Sequence, residues 1–398
     1  MAIDISNGVK WVGKIDGDIR KFHGDELSTD HGTSFNSYLI KDEKNALIDT
    51  VWTPFTEEFI ENLKKEINPK KIDYVVVLHA EPDHSGALPA LMEIIPNAKI
   101  ICSANGMKSI RGYYHKDWNF QPVKTGDKIS LGSRELIFME APMLHWPDTL
   151  TCFLTGSNIL FSSDIFGQHF ASDTMYNDKV DKDVFRYETM KYYTCIVQPF
   201  ATKVQKKIEE IRNLNLPIEL ICPAHGVIWR EDIDQAIDLY DKWSSGYYED
   251  QITIIYDTMY KSTQRMAESI ADGIGEADNN VKIKTYHASE SDKSDMLTEV
   301  FRSKAVCFGS PNLNSGLMTS VSSMLEEIKT ANIIGKKAVV FGSYGWSATN
   351  IKLLSEKAII AGFELVGKGV SAQWNPDVDS MILCKELGKT LAESFGKR

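Results

Sequence analysis

Long apolar runs are missing from this chain. None approaches the roughly 18 consecutive residues that a membrane span needs, so no bilayer-spanning segment is expected. The opening residues, Met-Ala-Ile-Asp-Ile-Ser, carry neither a basic stretch nor an apolar one, which argues against a signal peptide. Cysteine is sparse: 6 in 398 residues, scattered at Cys102, Cys152, Cys195, Cys222, Cys307 and Cys384, with no Cys-x-x-Cys pair. That spacing argues against a disulfide framework and fits reduced, mostly buried thiols in a cytoplasmic protein. Positive charge is in deficit, 44 Lys and Arg against 55 Asp and Glu, for a net charge of −11. A nucleic-acid partner therefore has no electrostatic footing. The Gly-x-Gly-x-x-Gly dinucleotide fingerprint and the Walker loop are absent from the positions where a strand meets a helix.

What is present suits two domains. Residues 1–248 alternate short β-rich runs with helical patterns. Phe35–Ile40 and Ala46–Ile48 read as paired strands. Thr56–Ile67 and Val204–Leu214 read as amphipathic helices, and Ile110–Trp118 is mixed. Glu135–Met139, Thr151–Leu154 and Ile159–Phe161 read as further strands. A boundary is expected near Ser244-Ser-Gly246, and residues 249–398 change rhythm. Apolar strands Ile252–Tyr256, Ala305–Phe308, Ala338–Phe341 and Phe363–Val366 are separated by helices at 263–275, 316–331 and 347–361, which is the βαβ pattern of a doubly wound parallel sheet. Leu391–Arg398 reads as the end of a last helix.

The densest chemistry lies in His79-Ala-Glu81-Pro-Asp83-His84, directly after the apolar run Tyr74–Leu78. Two imidazoles and two carboxylates exceed the three protein ligands that one catalytic metal usually takes, so two metals sharing a site are expected. Imidazole and carboxylate without thiolate suit iron, manganese or a mixed pair at least as well as zinc. His145, in His145-Trp-Pro-Asp148, Asp164, closing Ile159–Asp164, and His225, in Cys222-Pro-Ala-His225-Gly226, stand at other strand ends. Singly, such a His is more often structural and such an Asp a turn or cap residue. Four metal-type segments in one domain point jointly to a metal site.

The second half offers a different constellation. After Ile252–Tyr256 comes Asp257-Thr-Met-Tyr-Lys-Ser-Thr263 and then a helix, so hydroxyls and backbone N–H groups gather at a helix N-terminus as a single-phosphate site. A Ser/Thr-rich loop can equally be plain capping. Gly309–Gly316 and Gly342–Ser347 follow two further strands, and their small residues let backbone approach a flat ring that Tyr344 and Trp346 can cover. All three loops fall where open α/β sheets bind ligands.

Taken together these motifs resemble the metallo-β-lactamase superfamily, in the variant where Glu81 replaces the second His. An anionic oxygen there favours a redox metal over a zinc Lewis acid. The resemblance narrows to the flavodiiron proteins and spans essentially the whole chain. It implies an α/β architecture: an N-terminal metallo-β-lactamase-like αββα sandwich followed by a C-terminal flavodoxin-like sheet. It implies that His79, Glu81 and His145 bind one iron, that Asp83, His84 and His225 bind the other, and that Asp164 bridges them with a solvent-derived oxygen. His23, His169 and the Tyr192-Tyr193 pair match positions lining the distal pocket, with Tyr193 as a donor to bound substrate. It also implies FMN held by Thr258, Met259, Tyr260, Lys261, Ser262 and Thr263, by Pro311, Asn312, Leu313 and Asn314, and by Ser343, Tyr344, Gly345, Trp346 and Ser347. Lys261 departs from the glycine common in relatives.

The expected activity is reduction of O2 to water, of NO to N2O, or both. The expected assembly is a head-to-tail homodimer or dimer of dimers, which brings one subunit's FMN to the other's irons. With no fused rubredoxin-like cysteines, a separate rubredoxin-like donor is expected, or a reduced deazaflavin. Two other readings compete. A dizinc hydrolase with a regulatory flavodoxin-like module is disfavoured by Glu81 and by the flavin loops. A non-enzymatic electron-transfer or sensing module is disfavoured because every ligand position is filled.

Overall fold

The structure, a computed structural model, describes residues 2–396; Lys397 and Arg398, the last two positions of the expected C-terminal helix end, lie outside them. The chain divides into two compact units between Ser244 and Ser245, and the second unit also takes in His23–Ser28. The break falls slightly before the expected 248/249 boundary. The Lys336 ammonium, buried in the second unit, donates to the carbonyl of Tyr247 and so ties that segment to it.

In the first unit a seven-stranded sheet runs in the order Ile3–Ser6, Val9–Trp11, Tyr38–Ile40, Asn45–Ile48, Ile72–Val76, Lys99–Cys102, Phe120–Pro122. A five-stranded sheet runs Lys128–Ser130, Glu135–Glu140, Leu150–Leu154, Ile159–Ser163, Leu220–Pro223. Alternate inward side chains of both sheets, among them Trp11, Tyr38, Ile48, Val76, Phe138, Leu150 and Phe161, form one core. The expected strand Phe35–Ile40 is broken: Thr33–Phe35 and Tyr38–Ile40 pair with different partners. Tyr38–Ile40 and Asn45–Ile48 pair as read, and they run antiparallel. The first part of the mixed stretch, Ile110–Tyr114, ends the helix Ala104–Tyr114, which is capped by Ser103 Oγ on the Gly106 N–H and stopped by a left-handed His115.

The second unit is a parallel sheet ordered Lys282–His287, Glu249–Tyr256, Ser303–Gly309, Lys337–Tyr344, with Glu364–Leu365 and then Val370–Gln373 along the last edge. Its central strands are apolar on both faces because helices cover both sides. The helices Ser262–Ala277, Thr319–Thr330 and Asn350–Ile360 match those read. The second starts later than expected because Gly316–Leu317 folds back onto Asn312–Leu313. The third starts later because Asn350 is drawn inward to bond the carbonyls of Ser310 and Ser343. Among the described residues no helix is long and apolar enough to cross a membrane.

Candidate metal centre and flavin cavity

Every proposed ligand stands just past a strand end of the first unit. His79 and Glu81 follow Ile72–Val76, and the short helix Pro82–Ser85 carries Asp83 and His84. From the other sheet, His145 lies between Glu135–Glu140 and Leu150–Leu154, Asp164 follows Ile159–Ser163, and His225 follows Leu220–Pro223. The fold brings them together. His79, Glu81 and His145 form one group able to hold an ion, and Asp83, His84 and His225 form another.

Asp164 stands between the groups. Its Oδ2 lies 3.8 Å from His79 Nε2 and 3.7 Å from His145 Nε2. Its Oδ1 lies 3.3 Å from His84 Nε2 and 3.6 Å from His225 Nε2. Glu81 Oε2 sits 3.1 Å from His79 and 3.4 Å from His145, and Asp83 Oδ2 sits 3.0 Å from His225. Asp164 Oδ2 and Asp83 Oδ1 are buried carboxylate oxygens with no hydrogen-bond partner. Buried anionic oxygens are costly unless paired, so the pair fits two cations. His84 turns its Nε2 to this centre rather than away from it. The Glu81 and His145 side chains keep 15% and 12% of their exposure, against 3% or less for His79, His84 and His225, so the centre opens toward solvent on the Glu81 side.

The other ring nitrogens are held as metal-bound histidines require. His79 Nδ1 is 3.1 Å from Asp148 Oδ2, which also accepts from the Ala80 N–H. His225 Nδ1 donates to the Ser34 carbonyl at 2.8 Å. Asp49, buried and bonded by the Leu78 N–H, lies 3.7 Å from His84 Nδ1. Burial lowers the His79 pKa, but Asp148 and Glu81 outweigh it and take it to about 9. Burial works to raise the Asp164 pKa, and the surrounding imidazoles hold it well below the carboxylate range. Asp148 and Asp49 were missed in the sequence. Asp148 had a signal, since it closes the His145-Trp-Pro-Asp148 motif.

The distal residues separate. His169 is buried, bonded through Nδ1 to Thr33 Oγ1 at 2.8 Å, and its ring centroid lies 5.4 Å from that of His225. Tyr192, not Tyr193, faces the centre: its hydroxyl donates to Asp164 Oδ1 at 2.8 Å. Burial, then the Asp164 charge, push the Tyr192 pKa up, so the phenol keeps its proton. The Tyr193 ring packs instead on Tyr240 and Trp243. The helix Lys182–Tyr192 passes there into a wider turn, Tyr193–Val197, and the two neighbours point apart. His23 is exposed, at φ 51°, on a turn that groups with the second unit. The buried neighbour Phe22 meets His169 instead, at 4.6 Å between centroids.

In the second unit the three expected loops enclose a cavity of 350 Å³. Met259, Tyr260, Ser262, Pro311–Asn314 and Ser343–Ser347 line it, and so does Trp374, which sequence reading missed. Thr263 is buried, with its hydroxyl 3.2 Å from that of Ser343. Lys261 takes the left-handed conformation (φ 64°) before the helix Ser262–Ala277, which is why glycine suits that position. That helix start has no side-chain cap, and the buried Thr258 Oγ1 has no hydrogen-bond partner. Both features fit a phosphate. Asp257 fixes the loop root, accepting from the Thr258 N–H, His287 Nε2 and the Ser320 hydroxyl.

Residues 33–226 match the ODP family beta-lactamase model, and residues 254–388 match the flavodoxin model. The anaerobic nitric oxide reductase flavorubredoxin of Salmonella arizonae is 45% identical over 397 residues, spanning 99% of this chain and 83% of the relative. The chain belongs to the flavodiiron protein family. Among solved structures, the rubredoxin oxygen:oxidoreductase of Desulfovibrio gigas superposes with a TM-score of 0.96 at 34% identity, covering 99% of this chain and 98% of that one. The flavodiiron protein of Giardia intestinalis superposes at 0.94, with 30% identity over 99% and 96%. This flavodiiron protein is thus an oxidoreductase, with a metallo-β-lactamase-like unit and a flavodoxin-like unit. The cofactors of that family, a diiron pair and FMN, fit the two sites described.

Proposed function

We propose that this flavodiiron protein reduces NO to N2O, O2 to water, or both, at an iron pair held by His79, Glu81 and His145 on one side and by Asp83, His84 and His225 on the other. The observation that carries the reading is Asp164: each carboxylate oxygen faces a different histidine pair, as a bridge requires. Glu81 supports iron over zinc, since a second anionic donor on one side favours higher oxidation states. When bound, the iron pair supplies electrons and a binding place for the diatomic substrate, and FMN relays electrons to it.

The chain's own groups do the remainder. Asp148 and the Ser34 carbonyl orient His79 and His225. Tyr192, held protonated, donates to Asp164 Oδ1, would hold that carboxylate where both irons could reach it, and places a hydroxyl proton at the buried wall of the centre. Phe22, Phe35 and His169 crowd the His225 side and exclude water there. We extend the proposal to a cytoplasmic protein, which six scattered cysteines with no Cys-x-x-Cys pair support. The assembly is a head-to-tail homodimer or dimer of dimers, which the exposed Tyr260 and Trp346 at the cavity mouth support. The donor is a rubredoxin-like protein or a reduced deazaflavin.

The test is anaerobic stopped-flow reoxidation of the fully reduced, iron-loaded protein by NO and by O2. Reoxidation by at least one gas is expected, and Asp164→Ala or His225→Ala should remove it while the flavin spectrum stays. Turnover retained in both variants would reject the diiron assignment, and a sample that retains only zinc would favour a hydrolase. Sedimentation that finds an active monomer would reject the dimer.

A further inference from the structure

We infer that Trp374 is a flavin-contact residue that completes the aromatic wall of the cavity and helps set the potential of bound FMN, an inference that rests on the flavin reading above. Trp374 follows the strand Val370–Gln373 and holds φ at 59°. A bulky residue adopts that left-handed conformation only where its surroundings enforce it, and such positions gather at ligand clamps.

The enforcement is built from three hydrogen bonds. The Trp374 N–H donates to the Tyr344 carbonyl at 2.6 Å, and Gln373 Nε2 donates to the Gly345 carbonyl at 3.0 Å. Arg265 Nη1, from the helix behind the phosphate loop, donates to Asn375 Oδ1 at 2.7 Å. The six-membered ring of the indole lies against Gly345, where a Cβ would meet its Cζ3 at 2.7 Å. Residue 345 therefore has to lack a side chain for Trp374 to stand where it does.

The ring is fixed but not buried. Trp374 is 61% exposed and Trp346 is 83% exposed, and their centroids lie 6.5 Å apart at 49°. Two large aromatic surfaces left open at one cavity are what a flat ligand covers. Trp374 excludes water from part of that surface. Extra negative charge on the ring is disfavoured in a drier site, so the indole lowers the potential at which bound FMN takes up electrons.

The experiment compares the full-length protein with W374A and W374F, by fluorescence titration of FMN into flavin-free protein and by potentiometric titration of the loaded protein. W374A should bind FMN roughly two- to ten-fold more weakly, the range expected for one lost aromatic contact. Its flavin potential should rise, while W374F stays close to the unaltered protein on both measures. W374A matching the unaltered protein in affinity and potential would overturn the inference and leave the flavin site standing. Equal losses in W374A and W374F would overturn it too, since the indole would then be packing the loop. Failure of the unaltered protein to bind FMN would instead bring down the flavin reading and this inference with it.

Discussion

At the scale of single residues, what distinguishes this molecule is how its charged side chains are held by others. Asp148 fixes the His79 ring and accepts from the Ala80 N–H with the same oxygen. Asp148→Asn keeps the shape and removes the charge, and should weaken iron retention roughly 10- to 100-fold, the usual cost of losing such a partner. Iron loss to a chelator measures it, and unchanged retention would show that Asp148 does not orient the ligand. His287 serves the other cofactor site, between Asp257 and Glu290. Burial lowers its pKa, but Glu290 and Asp257 more than offset that and raise it. The stabilisation is complete below the unfolded value of about 6.5 and drains away as pH rises through the higher folded value. The melting temperature of the second unit, measured without flavin, should therefore decline as pH climbs above roughly 6.5, and His287→Gln should flatten that limb. A limb of equal slope in the variant would assign it elsewhere. The proposed ligands were legible as candidates because each is a metal-type residue at a strand end. The choice between Tyr192 and Tyr193 was not, because it turns on the helical phase at a widened turn. Trp374 was not, because its role depends on Gly345 far away in sequence.

At the scale of elements, helices Ser262–Ala277 and Val378–Glu393 cross in close backbone contact. A Cβ on Gly273 would lie 2.0 Å from the Lys385 carbonyl oxygen, and one on Gly388 would lie 2.2 Å from that of Ile270. Both contacts are to backbone, which cannot swing aside. Gly273→Ala should force the helices apart and cost about 1–3 kcal/mol. On the same helix a Cβ at Gly275 would meet only Ile283 Cδ1, at 4.0 Å. Gly275→Ala should instead stabilise by up to about 1 kcal/mol through helix propensity. Denaturant midpoints followed by flavin release compare the two, and effects of the same sign would refute the close-crossing argument. The central strands of this unit could be read because both faces are covered. The edge strand Lys282–His287 and the helix Lys293–Arg302 could not. In Lys-Ile-Lys-Thr-Tyr-His no residue is fully buried, so the strand carries too little apolar signal.

On the scale of the whole molecule, two units carry two sites, and each cofactor should stabilise its own. Removing FMN should lower the second transition in calorimetry and leave the first, and removing iron should do the reverse. A ligand at 100 times its Kd contributes about 2.7 kcal/mol. One transition shifted equally by either removal would contradict this independence. The two-unit plan was visible as a change of rhythm along the chain, whereas the placement of His23–Ser28 with the second unit left no mark in composition. The proposed ligand groups draw on both sheets of the first unit, His79 to His84 from one and His145, Asp164 and His225 from the other. Such a nest exists only after the sandwich has closed, unlike small zinc modules whose metal draws a chain into shape. Iron is then a late guest in a finished house. Chelated protein should keep its near-ultraviolet circular dichroism, and maturation in the cell becomes a question of delivering metal to a folded acceptor.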